Sequence, residues 1–123
     1  MVKLAIIGSR GFIDYGHLSL VMAEWFGRYE EAGPYCIVTE VISGGANGAD
    51  KLGARWAKEK GIKLTEFIPD WDRLGKRAGF VRNEDIVKAA DCVLAFWDGV
   101  SKGTGNSLSI AKRLKKPTLI IYF

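Results

Sequence analysis

The stretch Ser43-Gly44-Gly45-Ala46-Asn47-Gly48-Ala49-Asp50 restricts the fold more than any other part of this chain. Ile37-Val38-Thr39-Glu40-Val41-Ile42 precedes it with the length and apolar content of a strand, and Leu52, Trp56 and Lys60 follow at helical spacing. A strand therefore ends in a glycine-rich turn that opens directly into a helix. Glycine tolerates positive φ and lets a ligand approach the backbone closely. The first N–H groups of a helix lack partners within it, and the helix dipole favours negative charge there. Such a turn makes an anion cradle, used most often for phosphate. The same residues also fit a plainer description. In that one, Asn47 is the N-cap of a tight βα turn and Asp50 reaches back in a variant of the capping box.

Other segments repeat the pattern. Val2 to Gly8 is apolar almost throughout, as in a strand covered on both faces, and runs into Gly8-Ser9-Arg10-Gly11-Phe12. After Asp14-Tyr15-Gly16 a helix is expected with Leu18, Val21, Met22, Trp25 and Tyr29 on one face, ending before Gly33-Pro34. The helix that follows the organising turn spans about 48–60 and stops at Gly61; a short strand covers 62–68. Residues 69–79 lack periodicity and are expected to form a long loop, a candidate lid carrying Trp71, Lys76 and Arg77. A helix from about Phe80 to Ala90 and a buried strand over 91–97 come next. The third glycine-rich turn, 98–106, leads into a helix through Leu108, Ala111 and Leu114, and Pro117–Tyr122 is the last strand.

This alternation predicts one α/β domain spanning 1–123, Rossmann-like, with three layers and a five-stranded, mainly parallel sheet. In such sheets ligands bind at the carboxyl ends of the strands, near the switch in strand order. All three glycine turns follow strands, so all three fall on that edge.

At 123 residues the chain is long enough to enclose a core, and 48% hydrophobic with 26% charged residues is ordinary globular composition. No apolar run approaches the ~20 residues of a membrane span. The first seven residues read as a strand and not as a signal peptide, so the expected compartment is the cytoplasm. Cys36 and Cys92 read as buried thiols, and with a single histidine no protein-built metal site is expected. Residues 1–50 hold three Lys/Arg against six acids, while 51–123 hold fifteen against eight. That asymmetry suits an anionic ligand.

Taken together, four segments resemble the SLOG superfamily, the Rossmann-like group that joins the SMF/DprA and lonely-guy (LOG) proteins. They are Gly8-Ser9-Arg10, the organising turn, Ala78-Gly79-Phe80-Val81-Arg82-Asn83, and Gly99-Val100-Ser101-Lys102-Gly103-Thr104. The likeness extends over nearly the whole chain and is strongest to short bacterial and phage members of the YspA type. It implies a nucleotide or nucleotide-derived ligand held against the glycine loops. Gly8, Ser9 and Arg10 would contact it from the first turn, and Gly44, Gly45, Asn47, Gly48 and Asp50 from the second. Arg82 and Asn83 would do so from a helix, and Gly99, Ser101, Gly103 and Thr104 from the third turn. No other cofactor is expected.

LOG enzymes cleave the N-glycosidic bond of nucleoside monophosphates. Their signature is an Arg-Lys pair, an Asp opening a strand, and a proline–glycine–glycine turn ending Gly-Thr-x-x-Glu. Here Arg82, Asp91 and Gly103-Thr104 match, Asn83 stands in the lysine's place, the leading proline is absent, and Ser107 occupies the glutamate position. A hydroxyl cannot stabilise an oxocarbenium-like centre or carry a proton near neutral pH as a carboxylate does. The binding parts match where the chemical part does not, and no catalytic residue is assigned.

Individual residues carry competing roles. Arg10 suits bidentate phosphate contact, or a salt bridge to Asp14 or Asp50. Arg82 lies near a helix start, where a cation opposes the dipole, so a ligand would explain it. Ser101 and Thr104 could offer hydroxyls to a phosphate, or Thr104 could be an N-cap. Asp50 suits a ribose hydroxyl or its own helix. Trp71 and Trp97 could stack on a base or belong to the core. No catalytic role is expected of His17. The leading expectation is thus a module that binds a nucleotide-type small molecule. One alternative is a LOG-like hydrolase whose carboxylate comes from Asp50, Asp98 or Asp70. The other is a DprA-like DNA-binding protein. With only five Lys/Arg in residues 102–123, nucleic acid is not the expected partner, and a homodimer is compatible with the sequence.

Overall fold

The computed structural model describes residues 1–27 and 36–123. Its strands are β1 (Val2–Gly8), β2 (Phe26–Gly27), β3 (Cys36–Ser43), β4 (Lys63–Glu66), β5 (Cys92–Trp97) and β6 (Thr118–Tyr122). The helices are α1 (Tyr15–Trp25), α2 (Ala49–Lys60), α3 (Trp71–Leu74), α4 (Ala78–Ala89) and α5 (Lys102–Arg113). Every strand pairing is parallel. β1 lies between β3 and β5, with β6 beyond β5. β4 pairs with Glu40–Ser43 of β3, the stretch whose other side faces β1. The five principal strands therefore run β4-β3-β1-β5-β6, and the order reverses between β1 and β5. The two-residue β2, beside Cys36 and Ile37, is an addition the sequence did not suggest.

Period-two alternation sorts the sheet's side chains into two layers. Leu4, Ile6, Val41, Leu94 and Phe96 pack against Leu18, Met22, Trp56 and Ala57 of α1 and α2. Ala5, Ile7, Ile42, Val93 and Ala95 pack against Ile86 and Val87 of α4 and Ile110 and Ala111 of α5. The sheet is thus covered on both faces, as its apolar strands require. No described helix is long and apolar enough to cross a membrane. Cys92 is buried, as expected.

Three segments differ from expectation. α1 ends at Trp25, which is exposed, and the chain is extended at Phe26. The expected continuation through Arg28, Tyr29, Gly33 and Pro34 lies outside the described residues. The expected long loop at 69–79 is instead α3, a 3₁₀ turn (Gly75–Arg77) and the start of α4. Asp70 explains this, because its carboxylate accepts the Arg73 N–H (3.1 Å) as an N-cap and meets Arg73 Nε (3.0 Å). Finally, α5 begins at Lys102, so Gly103-Thr104-Gly105-Asn106 is helix and not turn.

Candidate functional site

Hydrogen bonds and close packing tie the three turns together at the carboxyl edge. Beyond β1, Ser9 N–H donates to Phe96 O (2.9 Å), and the turn closes through Phe12 N–H to Ser9 O (3.1 Å). Ser9 Oγ accepts Asp98 N–H (3.1 Å) and shares a hydrogen bond with Ser101 Oγ (2.9 Å), which joins the first turn to the third. The second turn reaches the first through Gly48, at φ 84°. A Cβ there would lie 2.4 Å from Ser9 O and 2.6 Å from Arg10 O, so only glycine permits this approach.

Gly48, not Asn47, is the N-cap of α2, and it has no side-chain cap. Asp50 reaches further back. Its Oδ2 accepts the N–H of Gly44 (3.2 Å) and of Ala46 (3.4 Å), so one buried carboxylate folds the whole glycine turn. Burial pushes the Asp50 carboxyl up to about 6, against the pull of these N–H groups and of Arg82. Arg82 enters from the second turn of α4, donating from Nη1 to Gly44 O (2.7 Å) and from Nε to Asn83 Oδ1 (3.1 Å). Burial lowers the Arg82 pKa; Asp50 favours its charge and the neighbouring Arg10 guanidinium opposes it. Asn83 Nδ2 in turn donates to Gly103 O (3.3 Å) and Asn106 Oδ1 (3.2 Å), bracing α4 against α5.

These contacts enclose a cleft of about 370 Å³, in the range of small-molecule sites. Gly8 to Gly11 form one wall, Ala46 and Asp50 a second, and Arg82 and Asn83 a third. Ser101–Thr104, with Ser107, complete it as the opening of α5. Three cations reach it, Arg10, Arg82 and Lys102, against one acid, Asp50. Neither Arg10 nor Lys102 forms an ion pair with a described residue, so the alternative of an Arg10 bridge to Asp14 or Asp50 is not realised. Thr104 and Ser107 are 6% and 4% exposed, and their hydroxyls bond to no described residue. Thr104 is not an N-cap; it sits inside the first turn of α5, behind the N-cap Ser101.

Several expected site residues stand elsewhere. Gly44, Gly45 and Gly48 build the second turn without lining the cleft, and Asn47 and Gly99 are exposed outside it. Trp71, Lys76 and Arg77 are exposed on α3 and the 3₁₀ turn, also outside. Trp97 is half-buried, donating from Nε1 to Ser101 O (3.1 Å). Of the three candidate carboxylates, only Asp50 lines the cleft. Asp98 is tied to the N–H groups of Val100 and Ser101 and to the Ser101 hydroxyl, which hold its carboxyl down at about 2. Asp91 sits at the opposite end of β5, accepting Lys3 N–H (2.8 Å). Lys102 was not anticipated, nor was Ser107 as part of a binding wall. Asp98-x-x-Ser101, read as the start of a helix, would have placed Lys102 at the cleft.

The raised Asp50 pKa fixes a sign. The folded chain holds that proton more tightly than the unfolded chain, whose value is near 3.8. Stability from this group is therefore fully present below about pH 4 and lost as pH rises through about 6, by roughly 3 kcal/mol. Denaturant melts should show the wild-type minus Asp50→Asn difference shifting in favour of wild type as pH falls from 7 to 4.

A parallel sheet with its order reversal beside a glycine-lined cleft defines a Rossmann-like domain. The chain belongs to the YspA, cpYpsA-related SLOG family, whose model matches residues 2–74. It is 35% identical over 125 residues to the Gene 61 protein of Mycobacterium phage D29, covering 97% of this chain and 95% of that one. Among solved structures it is similar to DNA processing protein A from Helicobacter pylori, described for its single-stranded DNA binding mode. That match has a TM-score of 0.68 at 21% identity, and covers 97% of this chain and 64% of the longer one, less than two thirds. At that identity the likeness shows a shared fold.

The expectation against nucleic acid as a partner is corrected by this neighbour. It rested on the few cations of residues 102–123, which was the wrong place to count. The fold brings Arg10, Arg82 and Lys102 from three separate segments to one cleft, and a protein of this fold binds single-stranded DNA.

Proposed function

We propose that this binding domain takes the phosphate of a nucleotide or nucleotide-derived ligand in the cleft of the three turns. One observation carries the reading. The cleft is faced by two cations that pair with no described residue, Arg10 of the first turn and Lys102 at the start of α5, and by two hydroxyls of α5, Thr104 and Ser107, that bond to no described residue and open onto the cleft. Free N–H groups of a helix start, unpaired cations and idle hydroxyl donors together make an anion site. Asp50 bounds the opposite wall, where a neutral or hydrogen-bonding part of the ligand, such as a sugar hydroxyl, would be accommodated.

The arrangement favours binding over glycosidic cleavage. Ser107 offers no carboxylate, and Asp50 spends Oδ2 on Gly44 and Ala46. The second reading, a single-stranded DNA phosphate in the same cleft, is favoured by the fold of the DNA processing protein. Calorimetric titration with nucleoside monophosphates, their parent nucleosides and a short oligothymidylate separates the cases. Monophosphates should bind at least tenfold better than nucleosides, with no free base found by chromatography. Lys102→Glu should weaken binding by about tenfold or more while leaving stability equal or higher, since an acid suits a helix's first turn. Equal affinity for nucleosides would refute the phosphate assignment, and release of base at about 1 per second would refute the binding-module reading.

A further inference from the structure

The described surface next to the cleft is neither apolar nor basic alone but both. Trp71 and Phe80 are 56% and 57% exposed, large for aromatic side chains with no ligand to cover. Asp70 caps α3, and the Trp71 ring lies at ordinary contact distance, 3.5 Å, from where a Gly79 Cβ would stand, against the first turn of α4 that carries Phe80. Lys76 and Arg77 occupy the turn between the two aromatics, and neither forms an ion pair with a described residue. Arg73 is paired with Asp70 at 3.0 Å. Asp72 is the remaining exposed acid in this segment, so residues 70–82 keep a net positive charge.

The patch lies on the same carboxyl edge as the cleft, between the end of β4 and the first turn of α4, the helix that brings Arg82 to the cleft and to Gly44 O. On the other flank, exposed Ile68 approaches within 3.0 Å of a Cβ placed on Gly45, the neighbour of Gly44. A strand with one phosphate at Arg10, Arg82 and Lys102 can follow that edge to this surface. Alternating exposed aromatics and unpaired cations match the alternation of bases and phosphates in a single strand, since any base can stack and any phosphate can pair. A double helix offers no unstacked bases to such rings.

We propose that Trp71 and Phe80, with Lys76 and Arg77, form a stacking platform that extends the cleft into a binding track for single-stranded DNA. The proposal rests on the reading that the cleft takes a nucleotide phosphate, and adds that the ligand continues beyond one nucleotide.

The test is fluorescence anisotropy with a labelled oligothymidylate of about twelve nucleotides, within the site sizes of single-strand binders. It is run on the full chain, its Trp71→Ala and Phe80→Ala variants and the Lys76→Gln/Arg77→Gln double variant, with calorimetric titration of thymidine monophosphate in parallel. The oligonucleotide should bind more tightly than the monophosphate. Each aromatic variant should weaken oligonucleotide binding by about 5- to 100-fold and leave monophosphate binding unchanged. The double variant should flatten the slope of log affinity against log salt by about 1.4. All four side chains are exposed, and circular dichroism should confirm unaltered folds.

If the monophosphate binds and the oligonucleotide binds no better, or if the aromatic variants bind it as wild type does, the platform is refuted and the cleft reading stands. If neither ligand binds, both fail. Tighter binding of oligouridylate overturns the assignment to DNA. Trp71-dependent self-association in sedimentation assigns the patch to a second copy of the chain.

Discussion

Gly8→Ala should lower stability by about 3 kcal/mol or more, at the upper end of overpacking effects, because what the new methyl meets is backbone. A Cβ at Gly8 would lie 2.2 Å from Phe96 O and 2.7 Å from the Ala49 Cβ. Neither can rotate away. Relief requires β1 to separate from β5 at Gly8↔Phe96 and to lose the Ser9 N–H bond to Phe96 O. It would also push α2 off the sheet at its first residue. For a chain of this length the melting temperature should fall by roughly 10 °C or more. Gly103→Ala is the matched control, with nothing within 4 Å of the added atom and a helical backbone, so it should gain about 0.5–1 kcal/mol. A Gly8→Ala variant melting within a few degrees of wild type would mean that the turns are not locked together as described.

The second large effect belongs to Arg82. Truncation to alanine leaves Gly44 O without its donor and removes the guanidinium beside the buried Asp50 carboxylate. It also removes the one cation that reaches the cleft from α4. Hydrogen bonds to charged groups contribute about 1.5–3 kcal/mol, so Arg82→Ala should destabilise the fold by that order and weaken phosphate-ligand binding by a further tenfold or more. Arg82→Lys separates the two. It keeps a positive charge near Asp50 but not the fork that serves Gly44 O and Asn83 at once. Its melting temperature should lie between those of wild type and alanine. A stable Arg82→Ala chain that binds normally would leave Arg82 with neither role.

Much of this architecture could be read from residue order because its strands are apolar and its turns are glycines. Val2–Gly8, Ile37–Ile42 and Asp91–Trp97 each ended in such a turn, and that alone set one edge for the site. The misreadings share a cause, which is that local composition was overruled by contacts distant in sequence. Gly103 and Gly105 suggest a loop, yet α5 runs through them, with Gly105 beside Trp97 at the end of β5. Residues 69–79 lack periodicity because α3 is only four residues long, and its cap at Asp70 was the sole available signal. Asp50 looked like the cap of its own helix. That its carboxylate would gather Gly44 and Ala46 and face Arg82 depends on α4 crossing the turn, which spacing does not encode. The idle hydroxyls of Thr104 and Ser107 emerged only from knowing what surrounds them.

The most direct test is to record backbone amide shifts of the isotope-labelled protein, small enough at 13.6 kDa for full assignment, during titration with a nucleoside monophosphate. Saturable shifts should concentrate in Gly8–Gly11, Gly44–Ala46 and Lys102–Thr104, three segments far apart in sequence that move on one binding curve. Shifts confined to one of these segments, or centred on the groove between α1 and α2 at Tyr15, Met22 and Trp56, would contradict a single phosphate site built from all three turns.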